Sequence, residues 1–138
     1  MGLDENKAFI HEYMRKVWEA GNLTYADEAL AEQYIDYTTP PGITPDRSGH
    51  RQSVSAFHTA FSDVQFTLED FIAEADKVVV RWTMQARNSG PFFGLPPSGK
   101  QCTLAGTDIY QVANDKIIAA WHREDLLGLQ RQLQMNQT

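Results

Sequence analysis

The sequence predicts an α+β domain in which helices come first and a run of antiparallel strands follows, the helices packing on one face of the sheet. Three observations predict it. Apolar residues recur at helical spacing near the N-terminus, as in Phe9, Ile10, Tyr13, Met14, Val17 and Trp18. From Val64 the period changes to two, and residues 78–86 are rich in β-branched and aromatic side chains. The breaks Ala75-Asp76-Lys77 and Ala113-Asn114-Asp115-Lys116 are short enough for hairpins. At 138 residues, the whole of 1–138 is one domain by length.

Each element follows in order. Residues 4–20 form a helix with one buried face, closed by Gly21-Asn22. Residues 24–32 make a second, short helix, with Leu23, Ala26, Ala29 and Leu30 apolar. Residues 34–38 form a short strand. Residues 39–45 are irregular, because adjacent prolines and a glycine break regular structure. Residues 49–61 form a third helix presenting Val54, Phe57, Ala60 and Phe61. Four strands follow, at about 64–73 (bulged near Phe71-Ile72-Ala73), 78–86, 103–112 and 117–123. Arg81, Thr83 and Gln85 alternate with Val80, Trp82 and Met84, so one sheet face is apolar and the other wetter. Leu126 to Leu133 is a short amphipathic closing segment.

Composition excludes several classes of function. Hydrophobic residues are 42% and charged residues 22%, an ordinary globular balance. The net charge is -6 and the 12 basic residues are scattered, whereas phosphate contacts need a basic stripe, so no nucleic-acid partner is expected. No run approaches the ~18 apolar residues of a membrane span. The first residues are polar and acidic without an apolar core, which predicts no secretory signal and a cytoplasmic location. Cys102 is alone, so neither an internal disulfide nor a Cys-based zinc site is available. It shares a face with Leu104 and reads as a buried, inert thiol. Lys77, Lys100 and Lys116 all fall at turns or strand ends, which disfavours a desolvated Schiff-base lysine. His50 and His58 are eight apart, and His122 and Glu124 are i, i+2. Neither is a metal-ligand spacing, so no metal is expected.

The chemistry-bearing stretch is the last strand, Lys116 to Asp125. Side chains alternate along a strand, so Ile117, Ala119, Trp121, Arg123 and Asp125 share one face. Turned inward, that face carries an Arg-x-Asp pair, a candidate acid/base site; turned outward, it carries a surface ion pair. If Asn114 and Asp115 are the two hairpin residues, Ala113 pairs with Lys116 and Asp108 stands opposite Trp121. Asp108 then joins Arg123 and Asp125 on one face, with His122 pointing away. Asp125 could serve as general base in a desolvated pocket, with Arg123 holding a developing oxyanion or forming an ordinary salt bridge. Tyr13, Trp18, Tyr37, Phe57, Trp82, Tyr110 and Trp121 are candidates for the pocket wall or plain core. Phe93, with Phe92, lies in a Gly/Pro-rich loop suited to a lid or a subunit contact.

The loop Gly90-Pro-Phe-Phe-Gly-Leu-Pro-Pro-Ser-Gly-Lys100, residues 48–72 from Ser48-Gly-His-Arg51 through Phe61-Ser-Asp-Val-Gln-Phe-Thr-Leu-Glu-Asp70 (a helix followed by an F-x-D strand entry), the strand Lys77-Val-Val-Val-Arg-Trp82 and the ending Trp121-x-x-x-Asp125 with Leu126-Leu-Gly-Leu-Gln-Arg-Gln-Leu133 together resemble the SnoaL-like polyketide cyclases of the nuclear transport factor 2-like superfamily. The resemblance runs over roughly residues 5–134. It implies a curved sheet wrapped around N-terminal helices as a cone-shaped barrel with an internal pocket. It further implies a homodimer, a small hydrophobic ligand, and an intramolecular aldol ring closure without metal or other cofactor. An aspartate matched by Asp125 would be the general acid/base. Two other readings compete. An epoxide hydrolase, isomerase or dehydratase would use Asp108, Arg123 and Asp125 together. A non-catalytic dimer would use the pocket only to bind.

Overall fold

The computed structural model describes residues 2–134, as four helices and a five-stranded, curved, unclosed sheet. Helix α1 (Leu3–Tyr13) continues directly into a π-helical stretch at Met14–Glu19. Ile10, Tyr13, Met14 and Val17, spaced i, i+3, i+4, i+7, are all essentially buried against the sheet. Asn22 caps α2 (Leu23–Ala29), its Oδ1 accepting from the Tyr25 amide at 2.9 Å. Strand β1 (Leu30–Asp36) starts where the sequence suggests helix. Asp46 caps α3 (Arg47–Ala60), accepting from the Gly49 amide at 3.0 Å. The strands β2 (Phe61–Glu74), β3 (Lys77–Asn88), β4 (Gln101–Ala113) and β5 (Lys116–Glu124) form an antiparallel meander, and α4 (Leu126–Gln134) follows. The sheet order is β1-β5-β4-β3-β2, with β1 parallel to β5 at the edge.

The α+β class expected from the helical and two-residue periods is the one observed. Asn114 and Asp115 both take positive φ (52° and 63°), as a two-residue hairpin turn of this hand needs. Ala113 pairs with Lys116 and Val112 with Ile117, as the sequence suggests. The register then slips by one residue, so that Gln111 faces Ala119 and Asp108 faces His122, not Trp121. The bulge falls in the run Ile117-Ile118-Ala119-Ala120, which is apolar throughout and imposes no alternation of its own.

That single extra residue corrects the expected face assignment. On the concave side stand Ile117, Ala120, His122 and Glu124 of β5 beside Tyr110 and Asp108 of β4. Trp121 and Arg123 lie on the convex side, and Asp125 is exposed beyond the strand. The core under the concave face is built from α1, Val78, Val80 and Met84 of β3, and Leu129 and Leu133 of α4.

Candidate active site

Among the described residues Asp108 is the buried carboxylate, 5% exposed, projecting from β4 among aromatic side chains. Tyr110, two residues on and therefore on the same face, donates its hydroxyl to Asp108 Oδ2 at 2.7 Å. Burial pushes the Asp108 pKa up to about 6; the Tyr110 hydroxyl, the Trp82 N–H and the charge of His122 pull it down, and Glu124 adds to the rise. Trp82 of β3 lies across Gly106. A Cβ at Gly106 would sit 2.4 Å from the indole Cζ2, so glycine is what lets the ring rest on β4. The Trp82 Nε1 is buried and makes no hydrogen bond of full geometry, although the N–H acts on Asp108 closely enough to favour its ionised form.

His122, directly across the β4–β5 ladder from Asp108, is clamped between two carboxylates. Its Nδ1 lies 2.6 Å from Glu124 Oε1, and its Nε2 lies 2.8 Å from Asp36 Oδ2 on β1. An ionised carboxylate only accepts, so both ring nitrogens carry protons and the ring is an imidazolium. Burial alone would lower its pKa, but the bonds to Asp36 and Glu124, with their charges, outweigh it and bring it to about 10. Burial likewise pushes Asp36 up, and His122 and Thr38 overcome it, so that its carboxyl stays below the usual range. The Thr38 amide and hydroxyl both donate to Asp36 Oδ1 at 2.8 Å, and the same hydroxyl accepts from the His122 amide at 2.9 Å.

Behind Asp108 a second buried group closes the interior. Tyr13 Oη lies 2.7 Å from His50 Nε2 and accepts from Trp18 Nε1 at 3.0 Å, the i, i+5 pair that a π-helical turn brings together. The Tyr34, Trp18 and Tyr13 rings surround His50, and Tyr13 meets Tyr110 edge-on at 5.3 Å. Burial lowers the His50 pKa to about 4, so this imidazole is neutral at pH 7.

Several expected site residues lie elsewhere. Asp125 is exposed and caps α4, its Oδ1 accepting from the Gly128 amide at 2.9 Å. Arg123 is exposed and donates to the His122 carbonyl at 2.8 Å. Neither meets Asp108, so the Asp–Arg–Asp constellation is not formed; the bulge in β5 is the reason. Tyr37, 60% exposed, stacks on Trp121 at 5.1 Å on the convex side of the sheet. Phe93, 65% exposed, packs on Phe92 at the tip of the Gly/Pro-rich loop. Tyr13, Trp82 and Tyr110 do line the Asp108 centre, and Trp18 and Phe57 form the layer behind it. Regular alternation along β5 would turn His122 and Glu124 outward, and nothing local marks the bulge that turns them inward, while Asp36 arrives from β1 through its parallel pairing with β5; the His122-x-Glu124 spacing is the one local signal. Two surface hollows, about 510 Å³ over α1 and about 420 Å³ on the convex sheet face, are not lined by Asp108.

A curved, unclosed sheet holding helices on its concave side is the nuclear transport factor 2-like arrangement. The model of the SnoaL-like polyketide cyclases matches residues 8–133, and the chain belongs to that family. Solved structures agree. TsrD from Streptomyces laurentii is 26% identical over 99% of each chain, with a TM-score of 0.87. A putative polyketide cyclase from Acidithiobacillus ferrooxidans is 27% identical over 96% of this chain and 97% of its own, with a TM-score of 0.83. AclR, a putative hydroxylase from Streptomyces galilaeus, shares the fold at 20% identity, covering 99% of this chain and 85% of its own, with a TM-score of 0.86. Among curated proteins, none matches the chain significantly.

Proposed function

We propose that this protein closes a ring by an aldol-type step on a polyketide-like or other carbonyl compound, without a cofactor, and that Asp108 is the group that moves the proton. The observation that carries the reading is a fully desolvated carboxyl whose pKa, about 6, sits near the working pH of a general base. As carboxylate, Asp108 takes a proton from a carbon flanked by carbonyls. As acid, it returns that proton to the alkoxide formed when the enolate carbon attacks a second carbonyl of the same molecule. The His122 imidazolium, fixed by Asp36 and Glu124, keeps a positive charge opposite Asp108 and limits how far burial can raise its pKa. Ring closure of poly-β-carbonyl substrates, followed by mass and absorbance, tests this. Asp108→Asn is expected to lower the rate about 100- to 10,000-fold, and a variant turning over at the wild-type rate would remove Asp108 from the mechanism.

The reading includes a homodimer built on the convex face. Ile72, Val79, Ile109 and Trp121 pair successively across β2, β3, β4 and β5 as one apolar row, with Ile72 62% exposed. The β2 end of that face carries Glu69, Asp70 and Glu74, with Arg81 of β3 paired to Asp70 at 2.7 Å and Lys77 opposite Glu74, and the β5 end carries Arg123. A two-fold axis crossing the row at right angles, in the plane of the contact, would set β2 of one copy against β5 of the other and bury the apolar row of both. Sedimentation showing only a 15.6 kDa species at micromolar concentration would count against it.

The close packing around Asp108 favours a second reading, a non-catalytic dimer that uses the concave side only as core. That reading expects no turnover of any carbonyl substrate and no effect of Asp108→Asn beyond stability.

A further inference from the structure

We propose that the Trp82 indole N–H is the donor that holds the developing enolate oxygen of the substrate while Asp108 takes the proton. The inference rests on the cyclase reading and adds a substrate-contacting residue to it. Two independent features support it. Trp82 is 6% exposed, yet its Nε1 is a buried donor with no completed hydrogen bond, and such a group is costly to leave unpaired. The ring is also held in a set position. It packs on Phe66 at 5.3 Å and lies over Gly106, where any side chain would collide with it.

The indole N–H therefore faces the Asp108 carboxyl without a hydrogen bond of full geometry. Asp108 Oδ2 is taken by Tyr110, and the indole N–H points toward the same carboxyl without closing a bond. The chemistry of that pair matches a β-dicarbonyl unit. Its acidic carbon–hydrogen bond goes to the carboxylate, and one flanking oxygen goes to the N–H. When the C–H bond breaks, the proton passes to Asp108 and the electron pair moves onto that oxygen. The N–H then bonds an anion instead of a carbonyl, so the interaction strengthens only as charge develops. The new carbon–carbon bond forms from the enolate carbon, and Asp108 returns the proton to the resulting alkoxide. No other reactant is required.

The probe is ethyl 2-methylacetoacetate in D2O, with α-hydrogen exchange followed by proton NMR. Wild-type protein should accelerate exchange, and Asp108→Asn should abolish the acceleration. Trp82→Phe should lower kcat about 100-fold with KM little changed, as loss of an oxyanion donor does. Gly106→Ala, which keeps the N–H but displaces the ring, should behave similarly. In the wild-type protein, with indoles labelled with nitrogen-15, saturating probe should move the Trp82 resonance and leave those of Trp18 and Trp121 in place. That measurement does not depend on any variant folding. A Trp82→Phe protein exchanging at the wild-type rate beside an inactive Asp108→Asn protein would overturn the role of the indole alone, as would an unmoved Trp82 resonance under saturating probe. Wild-type protein that gives no acceleration over buffer would overturn the cyclase reading and this inference with it.

Discussion

Replacing Asp108 by asparagine should make the protein more stable near neutral pH and no more stable in acid. In the folded chain the Asp108 pKa is about 6, against an ordinary 3.8, because burial penalises the charged form. A raised carboxyl pKa means that, between these values, the native state binds more protons than the unfolded state. Stability therefore falls as pH rises from about 4 to about 6, and the penalty persists above. The difference, taken at 1.36 kcal/mol per pH unit, is worth about 3 kcal/mol at pH 8. Asparagine keeps the shape and can still accept from Tyr110, but its amide would set a donor toward the Trp82 N–H, costing about 1 kcal/mol of that gain. The net expectation is about 2 kcal/mol of stabilisation at pH 8, or a Tm higher by about 4–8 °C, shrinking to nothing or reversing by pH 4. His50 works against Asp108 in the same window. Its depressed pKa, about 4, makes the native state lose stability as the pH falls below its unfolded value of 6.5. Urea titrations of both proteins at matched pH values remove that contribution, since His50 is common to both. A variant less stable than wild type at every pH, with the difference flat between pH 4 and 8, would refute the claim that Asp108 is a strained, desolvated carboxylate.

Four further outcomes follow. His122→Asn removes an imidazolium whose folded pKa, about 10, lies above its unfolded 6.5; wild type should hold this contribution fully below pH 6.5 and lose it as pH rises through 10, whereas the variant should be about 2 kcal/mol less stable at pH 6 and lack that slope in urea titrations. Tyr13→Phe takes away the hydroxyl shared by His50 and Trp18, leaving the buried His50 and the half-buried Trp18 without it, and should cost about 1–3 kcal/mol in the same assay. Asp125→Ala should cost about 1 kcal/mol through loss of the α4 cap and leave turnover far closer to wild type than Asp108→Asn does. Turnover should survive exhaustive chelation with EDTA, because the proposed proton transfer uses only Asp108; loss of activity restored by a divalent ion would contradict that.

Much of the architecture was legible from local pattern. The apolar spacing of α1, the two-residue period from Val64, and the Asn114-Asp115 turn are short-range signals, each set by side chains within a few residues of one another. The composition, the lone Cys102 and the loop from Gly90 to Lys100 could likewise be read without coordinates. Tertiary structure decided the identity of the inward-facing groups. In a strand, parity is conserved only while the ladder is regular, and one extra residue near Ile118 exchanged the faces of everything beyond it. Asp108 kept its inward place because it lies on the regular strand β4, but its neighbours became His122 and Glu124 instead of Arg123 and Asp125. Asp36 could not have been placed at all from the sequence. It reaches His122 only because β1 crosses over to pair in parallel with β5, 86 residues away along the chain, and no local preference specifies such a pairing.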